Sequence, residues 1–188
     1  MRSNHSCLEL ALASALLLGC TSSVEIDAPD IEITQPNLQF PAAPAHAAAG
    51  TSVQGQFKFA TNKLGAANSP DAGSLKKLER LSITRVILKA HTGIQDFGFL
   101  DHLTVAAANN YYATESSPDW PVLQILDYQA SPDVQTGAVL QLPLDTPVNM
   151  LPLWGHTLLY ITVTATGDPP TFPWSVDVMF SLSLKLHE

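Results

Sequence analysis

The chain has 188 residues, 46% of them hydrophobic, with 17 acidic side chains against 9 basic ones and a net charge of −8. So few Lys and Arg exclude the electrostatic footprint of a nucleic-acid binder, and no polybasic segment marks a membrane-surface patch. Charged residues make up 14%, below the roughly 25% of typical globular domains, so the surface is expected to be polar through Ser, Thr, Asn and Gln.

The N-terminus opens with a short segment holding Arg2 and His5, followed by the apolar run Leu10 to Leu18. That run is too short for a bilayer-spanning helix, which needs about 20 apolar residues. Gly19 and Cys20 follow it directly. The stretch Leu17-Leu18-Gly19-Cys20 resembles the lipobox of bacterial lipoprotein precursors. The resemblance implies that the Cys20 thiol receives a diacylglycerol and that a dedicated peptidase cuts just before Cys20. The small Gly19 then gives that peptidase access to the backbone. It also implies a mature chain held by two or three acyl chains such as palmitate, which anchor firmly where a single chain binds reversibly. Thr21, rather than Asp, follows the Cys, a pattern similar to that of Gram-negative lipoproteins sent to the outer membrane. The competing reading is an ordinary cleaved signal peptide with a coincidental Cys.

The chain then divides into a signal peptide over 1–19, a lipidated Cys and polar tether over 20–30, and one domain over 31–188. Loss of the signal removes Arg2, Glu9 and Cys7 and leaves the charge at −8. With Cys20 carrying lipid, the domain has neither thiol nor disulfide, and its stability must come from packing and backbone pairing.

Ile31 to Thr34 alternates apolar and polar residues and predicts a first strand, which Pro36 ends or bends. Ala42 to Gly50 is an Ala/Pro loop. Val53, Gly55, Phe57 and Phe59 alternate with Gln54, Gln56 and Lys58, the pattern of a half-buried strand. Thr61 to Gly73 is rich in Asn, Gly, Ser and Pro and reads as a loop. Ser74 is expected to cap a short helical turn over Leu75, Leu78 and Leu81. Ser82 to Ala90 returns to strand composition, Gly93 breaks it, and Phe97 to Ala108 predicts another extended segment. Asn109 to Asp119 is a polar, aromatic loop. Short strands follow over Val122 to Tyr128 and Ala138 to Leu142. Pro143, Pro147 and Pro152 argue against a long regular element over 143–152, and Met150 to Trp154 has room for one helical turn.

The last forty residues carry the clearest signal. Leu159, Ile161, Val163 and Ala165 fall on one face, and Tyr160, Thr162, Thr164 and Thr166 on the other. Val176, Val178, Phe180, Leu182, Leu184 and Leu186 alternate against Ser175, Asp177, Met179, Ser181, Ser183 and Lys185, a period of two that no helix face produces. The two segments predict a long C-terminal hairpin at the centre of a sheet, with Ser181 on its exposed face. About eight short strands and no sustained helical period predict an all-β antiparallel sandwich, with at most one short helix. A barrel and a small α+β fold are the competing architectures.

Chemistry is sparse. There is no GxSxG, HExxH, Walker loop, dinucleotide fingerprint or EF-hand loop, and no cofactor is implied. His91, Asp96, Asp101 and His102 lie within twelve residues, and such side chains ligate zinc or similar ions. Their spacing fits no zinc pattern, so a polar loop with Asp96 capping the turn is the simpler expectation. Trp120, Trp154 and Trp174 sit beside prolines and, with Tyr111 and Tyr112, are candidates for a stacking platform against sugar rings. The plainer reading is that they plug the ends of the sandwich. The sequence therefore points to a lipid-anchored, non-enzymatic binding or structural domain with an unidentified protein or glycan partner. A carbohydrate-binding module and a hydrolase or metal-dependent enzyme are the alternatives.

Overall fold

Among the described residues, period-two alternation is realised as eight strands, with one helical turn. The computed structural model describes residues 31–60, 78–109, 122–131, 137–154 and 158–186. The strands are β1 (Ile31–Phe40), β2 (Thr51–Ala60), β3 (Leu78–Thr92), β4 (Leu100–Ala108), β5 (Val122–Gln129), β6 (Val139–Asn149), β7 (Leu158–Gly167) and β8 (Trp174–Leu186), with the helical turn α1 (Leu151–Trp154) between β6 and β7. They form two four-stranded antiparallel sheets, ordered β1-β8-β3-β6 and β2-β7-β4-β5. Eight strands distributed in this order over two sheets make an antiparallel sandwich of jelly-roll topology.

The core lies between the sheets. Leu88, Val86, Val176 and Val178 from one sheet face Val105, Leu159, Ile161 and Val163 from the other, all buried. Alternation alone assigns these faces: every second residue of β7 and β8 must leave water, and each buried Val, Leu or Ile contributes about 1.5–3 kcal/mol. Gly55 marks the close approach of β2 to β1, since a Cβ there would meet the Gln39 carbonyl oxygen at 2.9 Å and the Phe40 ring at 3.0 Å.

Four expectations need correction. The C-terminal hairpin does not form, because β7 sits between β2 and β4 while β8 sits between β1 and β3. The connection 168–173 carries Pro169, Pro170 and Pro173 and cannot make a two-residue hairpin turn. It crosses instead from one sheet to the other. It is held by Asp168 N–H donating to Phe99 O at 2.8 Å and Ala43 N–H donating to Pro170 O at 2.9 Å. Each segment is central, but in a different sheet.

Leu78 and Leu81 belong to β3 rather than to a helical turn, and Leu81 is fully buried. Ser74 and Leu75 lie outside the described residues. β6 runs through Pro143 and Pro147. It tolerates them because it is an edge strand, and because its register jumps from Ile83↔Val148 to Arg85↔Pro143, placing 144–147 in a bulge. Finally, Ser181 points away from the core yet is 1% exposed, with its backbone carbonyl accepting from Thr84 Oγ1 at 3.2 Å.

Other local expectations are realised. Pro36 bends β1: the register shifts between Gln35 and Leu38, and Asn37 takes a φ of 55°. The Asn37 N–H donates to Asp177 Oδ1 at 2.9 Å. Asn149 Oδ1 caps α1 by accepting from Leu151 N–H at 3.1 Å.

Candidate functional site

Cys20, Gly19 and the rest of the lipobox lie outside the described residues, as do Tyr111, Tyr112 and Trp120. Trp154 ends α1. Trp174 is not a surface residue: it is 2% exposed. It stacks on Phe40, its register partner, with ring centroids 4.1 Å apart and planes 5° apart, and takes the edge of Phe99 at 5.2 Å. The described part of the chain therefore removes Trp174 from any sugar platform and makes it a plug of the sandwich end. Its Nε1 is buried without a hydrogen-bond partner.

The four residues weighed as metal ligands do not work together. His91 extends from β3 and meets Asp177 of β8, with Nδ1 3.5 Å from Oδ1. His102 extends from β4, in the other sheet, and its Nε2 lies 2.6 Å from Asp127 Oδ1 on β5. Asp96 Oδ1 accepts from Gly98 N–H at 2.9 Å, the turn-capping role expected for it. Asp101 is exposed and uses its backbone carbonyl to accept from Ala130 N–H at 2.8 Å. Among the described residues no three His, Cys, Asp or Glu side chains gather where they would hold a metal ion. The reason is topological. Residues close in sequence across a β3–β4 connection are handed to different sheets.

An apolar cavity of about 30 Å³ opens between the sheets near α1, lined by Ile33, Phe57, Ile83, Met150, Ile161 and Phe180 among others. Such a lining offers water or a polar ligand no partner.

The outward face of β2-β7-β4-β5 is chemically more distinctive. The registers place Ser52 beside Thr166 and His102, then Gln54 beside Thr164 and Thr104. The next rows are Gln56 beside Thr162 and Ala106, and Lys58 beside Tyr160 and Ala108. On β5, Asp127 pairs with Thr104 and Gln124 with Ala106. Ser52 Oγ and Thr166 Oγ1 share a hydrogen bond of 2.7 Å, and Gln56 Nε2 donates to Thr162 Oγ1 at 3.0 Å. The Lys58 ammonium lies 5.7 Å from the Tyr160 ring centroid. The polar half of each alternation was legible in the sequence. Which strands stood side by side was not, so the grid they form was missed.

No protein-family profile matches the chain, and no curated protein matches it. Among solved structures it is similar to a mutant of the unassembled VP1 pentamer of Washington University polyomavirus. That match has 10% identity and a TM-score of 0.35, covering 88% of this chain and 98% of that one. It is also similar to desmodium yellow mottle tymovirus, at 13% identity and a TM-score of 0.24, covering 87% and 91% of the two chains. At these scores neither likeness bears on function.

Proposed function

We propose that the chain is a lipid-anchored protein of a bacterial envelope whose β-sandwich acts by binding or as a structural element, without catalysis. The observation that carries this reading is the order of features over residues 1–31. The lipobox-like Leu17-Leu18-Gly19-Cys20 is followed by the polar stretch 21–30 and then by Ile31, where β1 begins. β1 is an edge strand of its sheet. A tether over 21–30 would therefore join the sandwich at a rim. The only other Cys in the sequence is Cys7, within the segment that cleavage would remove. Thr21 favours the outer membrane over the inner one under this reading.

The experiment is metabolic labelling with a radioactive fatty acid. The native chain should take up label and fractionate with membranes, and Cys20→Ser should lose the label and remain unprocessed or soluble. A Ser variant that still takes up the fatty-acid label overturns the lipid anchor.

A further inference from the structure

The ladder between β1 and β8 is broken in the middle. Ile31 to Gln35 pair with Leu182 to Val178, the pairing then jumps, and Leu38 to Phe40 pair with Val176 to Trp174. Pro36 and Asn37 stand in that gap against the single residue Asp177. We infer that residues 31–35 form a strap that opens and closes as a unit over the apolar cavity between the sheets. The Pro36–Asn37 bulge is its hinge, and the Asp177 carboxylate is its stop. The inference is independent of the lipid anchor and of the absence of catalysis.

The hinge lies in the backbone. Pro36 has no N–H to give the ladder. Asn37 takes a φ of 55°, a left-handed conformation that Asn tolerates better than most side chains. Its N–H donates to the Asp177 side chain, at 2.9 Å from Oδ1. The same oxygen lies 3.5 Å from His91 Nδ1 on β3. Asn37 Oδ1 in turn accepts from Gln39 Nε2 at 2.7 Å. One carboxylate oxygen therefore fastens the bulge to β8, and Gln39 fastens it to the second half of β1.

The two halves of β1 are held unequally. Leu38 and Phe40 are buried, and Phe40 stacks on Trp174. This half also lies close over Gly55 of β2, where a Cβ would meet both Gln39 O and the Phe40 ring. Ile31, Ile33 and Gln35 are only half-buried, and Glu32 and Thr34 are exposed. Local opening follows the fewest buried apolar contacts, and an edge strand has a partner on one side alone. The first half can therefore leave β8 while the second stays docked. Ile33 is the part of the cavity wall that β1 supplies, beside Phe57, Phe59, Ile83 and Phe180. Opening the strap removes that wall and uncovers the apolar lining along the edge of the sandwich, and closing it restores the wall.

The test is hydrogen exchange of the intact protein, purified in detergent and read residue by residue. The slowest amides of 31–35 should exchange at least about tenfold faster than the slowest of 38–40. Asp177→Ala should speed exchange over 37–40 toward that of 31–35 and leave the amides of β7 unchanged. Asp177→Asn, which keeps an acceptor, should stay near the native pattern. Equal protection on the two sides of the bulge overturns the strap. A loosening of β7 as large as that of 38–40 in Asp177→Ala overturns the stop. Should Asp177→Ala fold poorly, iodoacetamide labelling mapped by mass spectrometry still decides the lid. Ile33→Cys should react at least about tenfold faster than Leu38→Cys, and equal rates would mean that the cavity wall does not open.

Discussion

Phe40 and Trp174 lie opposite one another in the β1–β8 ladder, and their rings stack 4.1 Å apart and nearly parallel at one end of the sandwich. A cross-strand aromatic pair of this kind contributes beyond its buried area, by about 0.5–1.5 kcal/mol. Trp174→Ala should therefore destabilise the domain by about 3–5 kcal/mol in denaturant unfolding. Trp174→Phe should cost markedly less, because a ring still covers Phe40 and the unpaired indole N–H is gone. Similar losses from both changes would show that the indole itself matters in a way the stack does not explain.

Phe180 and Ser181 are neighbours on β8 with opposite burdens. Phe180 is 5% exposed and points into the core beside Phe57, so Phe180→Ala should cost about 3–5 kcal/mol. Ser181 is buried on the outer face with its hydroxyl unpartnered. Ser181→Ala removes a buried polar group that makes no bond, and is expected to be neutral or slightly stabilising. Calorimetry of the two variants separates the cases, and a loss above about 1 kcal/mol at Ser181 would mean that its hydroxyl has a partner.

Gly167 has a φ of 150°, and a Cβ on it would collide with the Phe99 carbonyl oxygen. Gly137 has open space around the same position. Gly167→Ala should cost about 2–3 kcal/mol through backbone strain. Gly137→Ala should be neutral or stabilise by up to about 1 kcal/mol by restricting the unfolded chain. Midpoints from urea titration test the contrast.

The His102–Asp127 pair is short but open to solvent, with Asp127 62% exposed. A double-mutant cycle with His102→Ala and Asp127→Ala should return a coupling below about 1 kcal/mol that shrinks with added salt. A coupling of several kcal/mol, insensitive to salt, would instead point to a desolvated pair and revive the hydrolase alternative.

The sandwich was readable because β7 and β8 alternate without a break, and burial on one face leaves a period of two no other meaning. Their pairing was not readable, because Leu159–Ala165 and Val176–Leu186 look alike to any partner, and only the three prolines between them signal a crossing. β6 was read too short at Pro143, since the rule against proline in strands relaxes at an edge and at a bulge. Leu75–Leu81 showed an apolar spacing that a helix or a bulged strand satisfies equally, and packing against β8 decided for the strand over Leu78–Leu81. Trp174 beside Pro173 is open to both a surface platform and a plug of the sandwich end, and the plainer reading, the plug, holds because it stacks on Phe40, on a strand far away in sequence. The outer grid of Thr and Gln is a property of neighbouring strands, invisible until β2, β7 and β4 are laid side by side.

The first described strand finds its ladder partner in the last one: Asn37 bonds to Asp177 across a separation of 140 residues. Nothing else in its own sheet can substitute, because β8 alone lies between β1 and β3. Closing so long a loop costs entropy before any contact repays it. β1 must therefore wait, unpaired and partly apolar, until the final strand has emerged and docked. A truncation that removes β8 would therefore strand β1 and deprive β3 of its neighbour at once, rather than trimming one edge.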